Sequence, residues 1–395
     1  MIEMTLNATK KKILYCVLLL AALISIAAGA KNALRFSQDF QWDAAKCLML
    51  RINPYEVSLS PTAQPDHPAL AEFFDYFNSI DAKQKVEANQ FPSLLFLLSI
   101  FTLMPYRVAV VLWLVLNLIF KAGIVYLLRK TFMKQLSKDV YIILSLLMVA
   151  GTPWRNQIGV GQHTLFSLFF FLLAVYLSES GKWIPSSLAL AVSYFKYTLT
   201  APLALYFIYK KKWREFAVSV ALHIAGTAFG AWWLGTSFID MIKQPLAVSS
   251  ALASEGSIDI SALSGGASWA MIAALAVMIL LFIVCIRLPS GYDSELISLL
   301  TLISLIITYH RSYDFFVMPI AYVGVCAIIS KGVRLEGILF RAYYLIVLLY
   351  MFFGLRVFNE SAASLSVLAL LYYTFLADFV LMFSRNVKNS SNGRN

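Results

Sequence analysis

From Val108 to Leu128 the chain carries a single charged residue, Lys121, and from Ile13 to Ala30 it carries none. Runs of this kind match what a hydrocarbon layer demands, where about 20 residues cross as a helix. Inside such a layer every backbone N–H and C=O must be paired within the protein, which leaves helices or a closed barrel. Neither run alternates polar with apolar residues, so barrel strands are excluded. Similar runs recur along the 395 residues, of which 60% are hydrophobic and 13% charged, whereas a soluble domain has about 25% charged residues. The expected fold class is all-α: a polytopic helical membrane protein in which residues 1–395 form a single transmembrane domain.

The net charge of +11 does not point to nucleic acid. The basic residues cluster at the ends of apolar runs, as in Lys10-Lys11-Lys12, Arg129-Lys130 and Lys210-Lys211-Lys212, which is the mark of cytoplasmic loops. The first run has no small-residue cleavage site near its end and reads as a retained helix. The four cysteines have no disulfide or metal spacing, and neither a metal nor a cofactor is expected. With the N-terminus inside, spans are expected near residues 13–30, 107–128, 139–151, 163–178, 183–195, 198–209, 215–235, 267–287, 295–308, 315–329, 338–357 and 365–383. That makes about 12 transmembrane helices with both termini inside. Residues 91–104 are too short to cross and read as a shallow or re-entrant segment. Two outer loops are long. Residues 31–90 hold eight acidic residues against six basic ones, and residues 236–266 are rich in Gly and Ser and read as mobile.

Under this topology an uncommon set of polar groups collects at outer span ends. They are Asp39 and Asp43, then Arg155, Gln162 and His163, then Lys196, then His310, Arg311 and Asp314. Taken singly, each reads as an interfacial anchor. Together they place carboxylates from one loop opposite cations from three others, and an ionisable group at membrane depth marks function. A carboxylate facing cations suits group transfer from a phosphate. Lys196, Arg155 and Arg311 would hold the phosphate, and His310 would add a donor or a proton. Gln162 and His163 would position the site. If "DFQWDAAKCLML" is helical, Asp39 and Asp43 share a face, and either is the base. The apolar residues of that helix would lay it on the membrane surface.

The stretch "SQDFQWDAAKCLMLRINPY" resembles the first-loop signature of glycosyltransferase family 87, enzymes of the GT-C membrane fold that use polyprenyl-phosphate sugars. The resemblance continues through "FPSLLFLLSIFTLMPYRVAVVLWLVLNL", "GVGQHTLFSLFFFLLAVYL" and "SLALAVSYFKYTLTAPLALYFIYKKKWRE", with "YHRSYDFFVMPIA" as a later anchor. It implies that Asp39 is the catalytic base, with Asp43 in a positioning role, and it maps a functional Gly-Gln onto Gly161-Gln162 and a lysine onto Lys196. The chain differs from the common pattern at Trp42, Arg51-Ile52 and Tyr197.

The expected function is therefore transfer of a hexose or pentose, mannose-like or other, from a polyprenyl-phosphate donor. The acceptor would be a hydroxyl of a glycolipid or glycan at the outer, periplasmic face of the cell's inner membrane. The expected partners are that donor, that acceptor and membrane lipids, with no nucleic acid. A transporter, flippase or polymerase of lipid-linked sugars is the alternative. A transporter would place its charges along a path at the bilayer midplane, whereas here they gather at one face.

Overall fold

The computed structural model describes residues 7–392 except 61, 63, 83, 253–256, 265–268, 332–337 and 355–361, and among the described residues there is no β-strand. Helix α1 (Ala8–Arg35) leads into a first loop that is itself helical, with α2 (Trp42–Met49), α3 (Pro54–Leu59) and α4 (Pro68–Ser79). Then come α5 (Pro92–Leu98), α6 (Tyr106–Lys130), α7 (Lys138–Ala150), α8 (Thr152–Val160) and α9 (Thr164–Glu179). Next follow α10 (Trp183–Ser193), α11 (Tyr197–Tyr209), α12 (Trp213–Leu234), α13 (Phe238–Leu252) and α14 (Ile260–Leu263). Helices α15 (Trp269–Arg287), α16 (Asp293–Ile307) and α17 (Met318–Ser330) precede Ile338–Leu349 and the last helix, Ala362–Asn392.

Among the described residues, seven stretches are long and apolar enough to cross a membrane, or eight if the bent pair α8–α9 counts as one span. The twelve crossings expected from the sequence are not reached by this measure, because several helices are short. One of the seven, Trp183–Tyr209, is helical throughout but does not run straight. The Arg214 guanidinium lies 3.3 Å over the Trp183 ring, and Ser178 donates to Glu215 at 3.1 Å. Trp183 and the start of α12 are thus at the same end, so α10 and α11 double back at the 3-10 turn Tyr194–Lys196. With 11 and 13 residues, the two arms reach only about 17 and 20 Å of a hydrocarbon core about 30 Å thick. Neither arm alone is long enough to cross it.

Helices α16 and α17 form a second hairpin, closed at its base by Lys331–Glu295 at 2.6 Å, with the 3-10 turn Ser312–Val317 near its tip. A third tip is the 107° bend between α8 and α9. The basic ends of the helices are tied to one another. Lys11 pairs with Asp139, Lys134 with Glu179 and Lys210 with Asp293. Such half-exposed pairs contribute only about 0–1 kcal/mol each. Their value here is geometric, since they show which helix ends share a face.

The first loop is a folded unit. Asn53 caps α3 by accepting from the amides of Tyr55 and Glu56, and Pro54 opens the helix, where its missing N–H costs nothing. Tyr55 is buried and donates to the Gln90 carbonyl at 2.7 Å, joining the middle of the loop to its end. Phe40, Trp42, Phe73, Phe77, Tyr106 and Trp113 pack together, each contributing about 1.5–3 kcal/mol relative to exposure. This corrects one expectation. Six residues of α2 are buried, Asp43 among them, so its apolar face is covered by protein and not by the membrane surface.

The segment 91–104 is short, as expected: α5 and a 3-10 turn, Ser99–Leu103. It packs against α12, where Gly230 permits close contact; a Cβ there would lie 2.4 Å from Pro92. The second loop begins with the 15-residue α13, opened by Ser237, whose hydroxyl accepts from the Asp240 amide. Residues 253–256 and 265–268 of that loop lie outside the described residues.

Candidate active site

Asp39 sits in the middle of the 3-10 turn Gln38–Phe40 that follows α1. Both flanking residues are left-handed, Ser37 with φ of 34° and Gln41 with φ of 60°. For residues other than glycine this costs about 1–2 kcal/mol each, so the turn must be held by its surroundings. Tyr106 donates its hydroxyl to the Phe36 carbonyl at 3.2 Å. The His163 imidazole lies 2.9 Å from the Phe40 carbonyl and donates to it through Nε2. Phe40 itself stacks on Trp113. The left-handed Gln41 also breaks the helix expected to carry both aspartates, so Asp39 and Asp43 share no helix face. They meet instead across a cavity.

That cavity measures about 200 Å³, and its wall is polar. Asp39, Asp43 and Glu87 border it together with Lys196 and Arg311, and Gln162, Tyr309 and Tyr313 complete that side. Gln162 donates its amide to Asp39 at 3.0 Å, and Tyr313 its hydroxyl at 3.4 Å. Burial, and next the charge of Glu87, raises the Asp39 carboxyl to about 6, against the opposing pull of Lys196 and Arg311. Burial likewise raises Asp43 to about 7, with backbone amides pulling it down and Glu87 and Asp39 adding to the rise. Three carboxylates around one cavity cannot all ionise freely.

Behind the cavity lies Asp314, fully buried. Its Oδ1 accepts from Gln157 and Thr164, each at 2.7 Å, while Oδ2 meets His310 at 2.9 Å and Lys196 at 3.8 Å. One carboxylate thus joins the tips of all three hairpins and fixes the ammonium group at the cavity wall. A buried charge is tolerable only when paired and hydrogen-bonded in this way.

The residues expected from the sequence fall into two groups. Asp39, Asp43, Gln162, Lys196 and Arg311 border the cavity. Arg155, His310 and His163 do not. Arg155 lies two turns down α8 and hydrogen-bonds Asn156, His310 is buried against Asp314, and His163 stacks on Phe195 beneath the Asp39 turn. Sequence reasoning missed Glu87, Asn89, Gln41, Tyr309 and Tyr313 on the wall. Tyr309 and Tyr313 flank the singled-out Arg311 and were within reach, whereas nothing distinguishes Glu87 from the other acids of its loop. Among the described residues no group of three or more His, Cys, Asp or Glu side chains is gathered as for a metal ion.

The family model of glycosyltransferase family 87 matches residues 92–319, more than half of the chain. The chain belongs to glycosyltransferase family 87. No curated protein and no solved structure matches it. The matched segment contains Gln162, Lys196, Arg311 and Asp314 and begins after the loop that carries Asp39. What attaches Asp39 to the family 87 segment is the geometry: the Gln162 amide on its carboxylate, and a cavity shared with Lys196 and Arg311.

Proposed function

We propose that this membrane glycosyltransferase takes a sugar from a polyprenyl-phosphate donor and transfers it to an acceptor hydroxyl at the outer face of the cell membrane. The observation that carries the reading is geometric: the Asp39 carboxylate, held by the Gln162 amide at 3.0 Å, shares one cavity with Lys196 and Arg311. In the step envisaged, the acceptor oxygen bonds to the anomeric carbon, its proton passes to Asp39, and the bond from that carbon to the phosphate oxygen breaks. The electron pair leaves with the polyprenyl phosphate, and Lys196 and Arg311 stabilise the charge it gains. Support for a lipid-borne donor comes from a groove of about 720 Å³ lined by Leu34, Val108, Val111 and Val115, with Tyr76, Tyr106 and Arg107 alongside. Tyr106 also contacts the backbone just before Asp39, so an isoprenoid chain in this groove would lie beside the turn that presents the base.

The test is turnover of synthetic polyprenyl-phosphate sugars by the purified protein. Asp39→Asn keeps the shape and removes the base, so kcat should fall by about 100-fold or more, with donor binding little changed. Lys196→Ala should instead weaken donor use by about 10- to 150-fold, the worth of a charge-assisted hydrogen bond of about 1.5–3 kcal/mol. Full activity of Asp39→Asn would overturn the assignment of the base, and normal donor use by Lys196→Ala that of the phosphate site.

A further inference from the structure

A small recess of about 30 Å³ opens beside Lys196. It shares Asn89, Lys196 and Tyr309 with the main cavity and is otherwise bounded by Gln90, Tyr197, Thr198 and Ser249. No carboxylate lines it. A water needs about 10–15 Å³ of such space, so the recess admits a hydroxyl group or a hydroxymethyl arm but not a ring.

Two of its lining residues, Gln90 and Thr198, carry an oxygen with no hydrogen-bond partner. Asn89 Oδ1 takes the amide N–H of Gln41 at 2.5 Å and that of Gln90 at 3.0 Å. Both glutamines therefore direct a donor to the same oxygen, and the Oε1 of Gln90, on the recess, has no partner, nor has that of Gln41, on the main cavity. The Thr198 hydroxyl is buried and equally unpartnered. Gln90 is 3% exposed and Gln41 7%. An unpaired acceptor at such a position costs about 1–3 kcal/mol, a cost that a ligand bringing O–H donors would remove. The roof is Ser249 of α13, whose hydroxyl meets that of Tyr197 at 3.0 Å. Helix α13 is also held to the first loop by Asn53, which donates to Gln244 at 3.0 Å.

We propose that this recess is a specificity subsite for the uncharged hydroxymethyl arm of the transferred sugar, so that the enzyme takes a hexose in preference to a pentose or a 6-deoxy sugar. The inference rests on the transfer reading above. With the anomeric carbon between Asp39 and the cations, the ring fills the main cavity, and the recess beside Lys196 receives one arm of it. The second outer loop then has a role, since α13 closes the pocket that reads the sugar.

The experiment compares three donors that differ only in the sugar: a polyprenyl-phosphate hexose, its 6-deoxy counterpart and the corresponding pentose. The wild-type protein should use the hexose at least tenfold better in kcat/KM. Thr198→Val, equal in shape and lacking the hydroxyl, should lower hexose use about tenfold, the worth of one hydrogen bond, and leave 6-deoxy use unchanged. Gln90→Met should show the same selective loss if Thr198→Val inserts poorly. Equal use of the three donors by wild type, or an equal loss on all of them in both variants, would overturn the subsite. So would a change confined to the acceptor KM, which would assign the recess to the acceptor. No turnover of any donor would overturn the transfer reading and this subsite with it.

Discussion

At Asp39 two influences of opposite sign meet. Burial and the neighbouring Glu87 favour the protonated form, while Lys196, Arg311 and the Tyr313 hydroxyl favour the anion. If Asp39 is the base, as proposed, a carboxyl raised to about 6 is ionised at neutral pH yet still able to take a proton, so kcat/KM should climb with pH on an acid limb centred near 6. That limb reports the coupled carboxylates together. Glu87 raises Asp39 by like-charge repulsion, so Glu87→Gln should let Asp39 lose its proton at lower pH. The acid limb should then move downward by a fraction of a pH unit to a full unit, within the usual reach of a nearby charge. A pH–rate profile checks this, and a limb that stays in place or moves upward would exclude Glu87 from the site. Lys196, Arg311 and Gln162 were legible in the sequence because a polar residue at an apolar span end stands out. Glu87 and Asn89 were not, because polar residues are ordinary in a long outer loop. Asp314 was visible as a charge, but its role was hidden, since its partners Gln157, Thr164 and Lys196 come from distant elements.

At the scale of elements, the site depends on the sharp turn between α8 and α9. Gly161 ends α8 with φ of +73°, and a Cβ there would lie 3.2 Å from both Cβ and Oγ of Ser37, the residue that starts the Asp39 turn. Gly161→Ala therefore carries two penalties, about 1–2 kcal/mol for the left-handed backbone and a push against Ser37. Gly181 supplies the control, because its φ is +74° with nothing within 4 Å of a Cβ. Both variants should lose thermal stability, Gly161→Ala the more, but only Gly161→Ala should lose turnover, by about tenfold if the carboxylate moves by even a fraction of an ångström. Equal activity in the two would mean that the bend does not position Asp39. The sequence starts a span at residue 163 and reads 152–162 as a turn, where the structure has α8, and it misplaces α2, for a physical reason. An amphipathic helix shows that one face must be covered and is silent on whether lipid or protein covers it. Phe73 and Tyr106, which pack on Trp42 of α2, come from later segments that no local pattern connects to it.

For the whole molecule, the ion pairs at the helix bases make sidedness a single property. Lys11–Asp139, Lys134–Glu179, Lys210–Asp293 and Lys331–Glu295 bind helices from both halves of the chain at their basic ends. The cavity lies at the opposite ends of α10, α11 and α16, by Lys196 and Arg311. The crossing count was less legible than this polarity, because the sequence counts 183–195 and 198–209 as two crossings, whereas helices of 11 and 13 residues are each too short to cross alone. The polarity itself follows from where lysine is placed. Excess lysine and arginine hold a face in the cytoplasm, so the basic bases should be inside and the cavity outside. In a cysteine-free background, Glu72→Cys on α4 should be labelled by a membrane-impermeant thiol reagent in intact cells. Lys211→Cys and Ser384→Cys should be labelled only after permeabilisation, all three positions being exposed on the folded protein. Since the paired bases orient together, a mixed result is not expected from a single insertion. Labelling of Lys211→Cys with protection of Glu72→Cys would invert the molecule and place the Asp39 cavity on the cytoplasmic side, where the donor and acceptor would have to be sought instead.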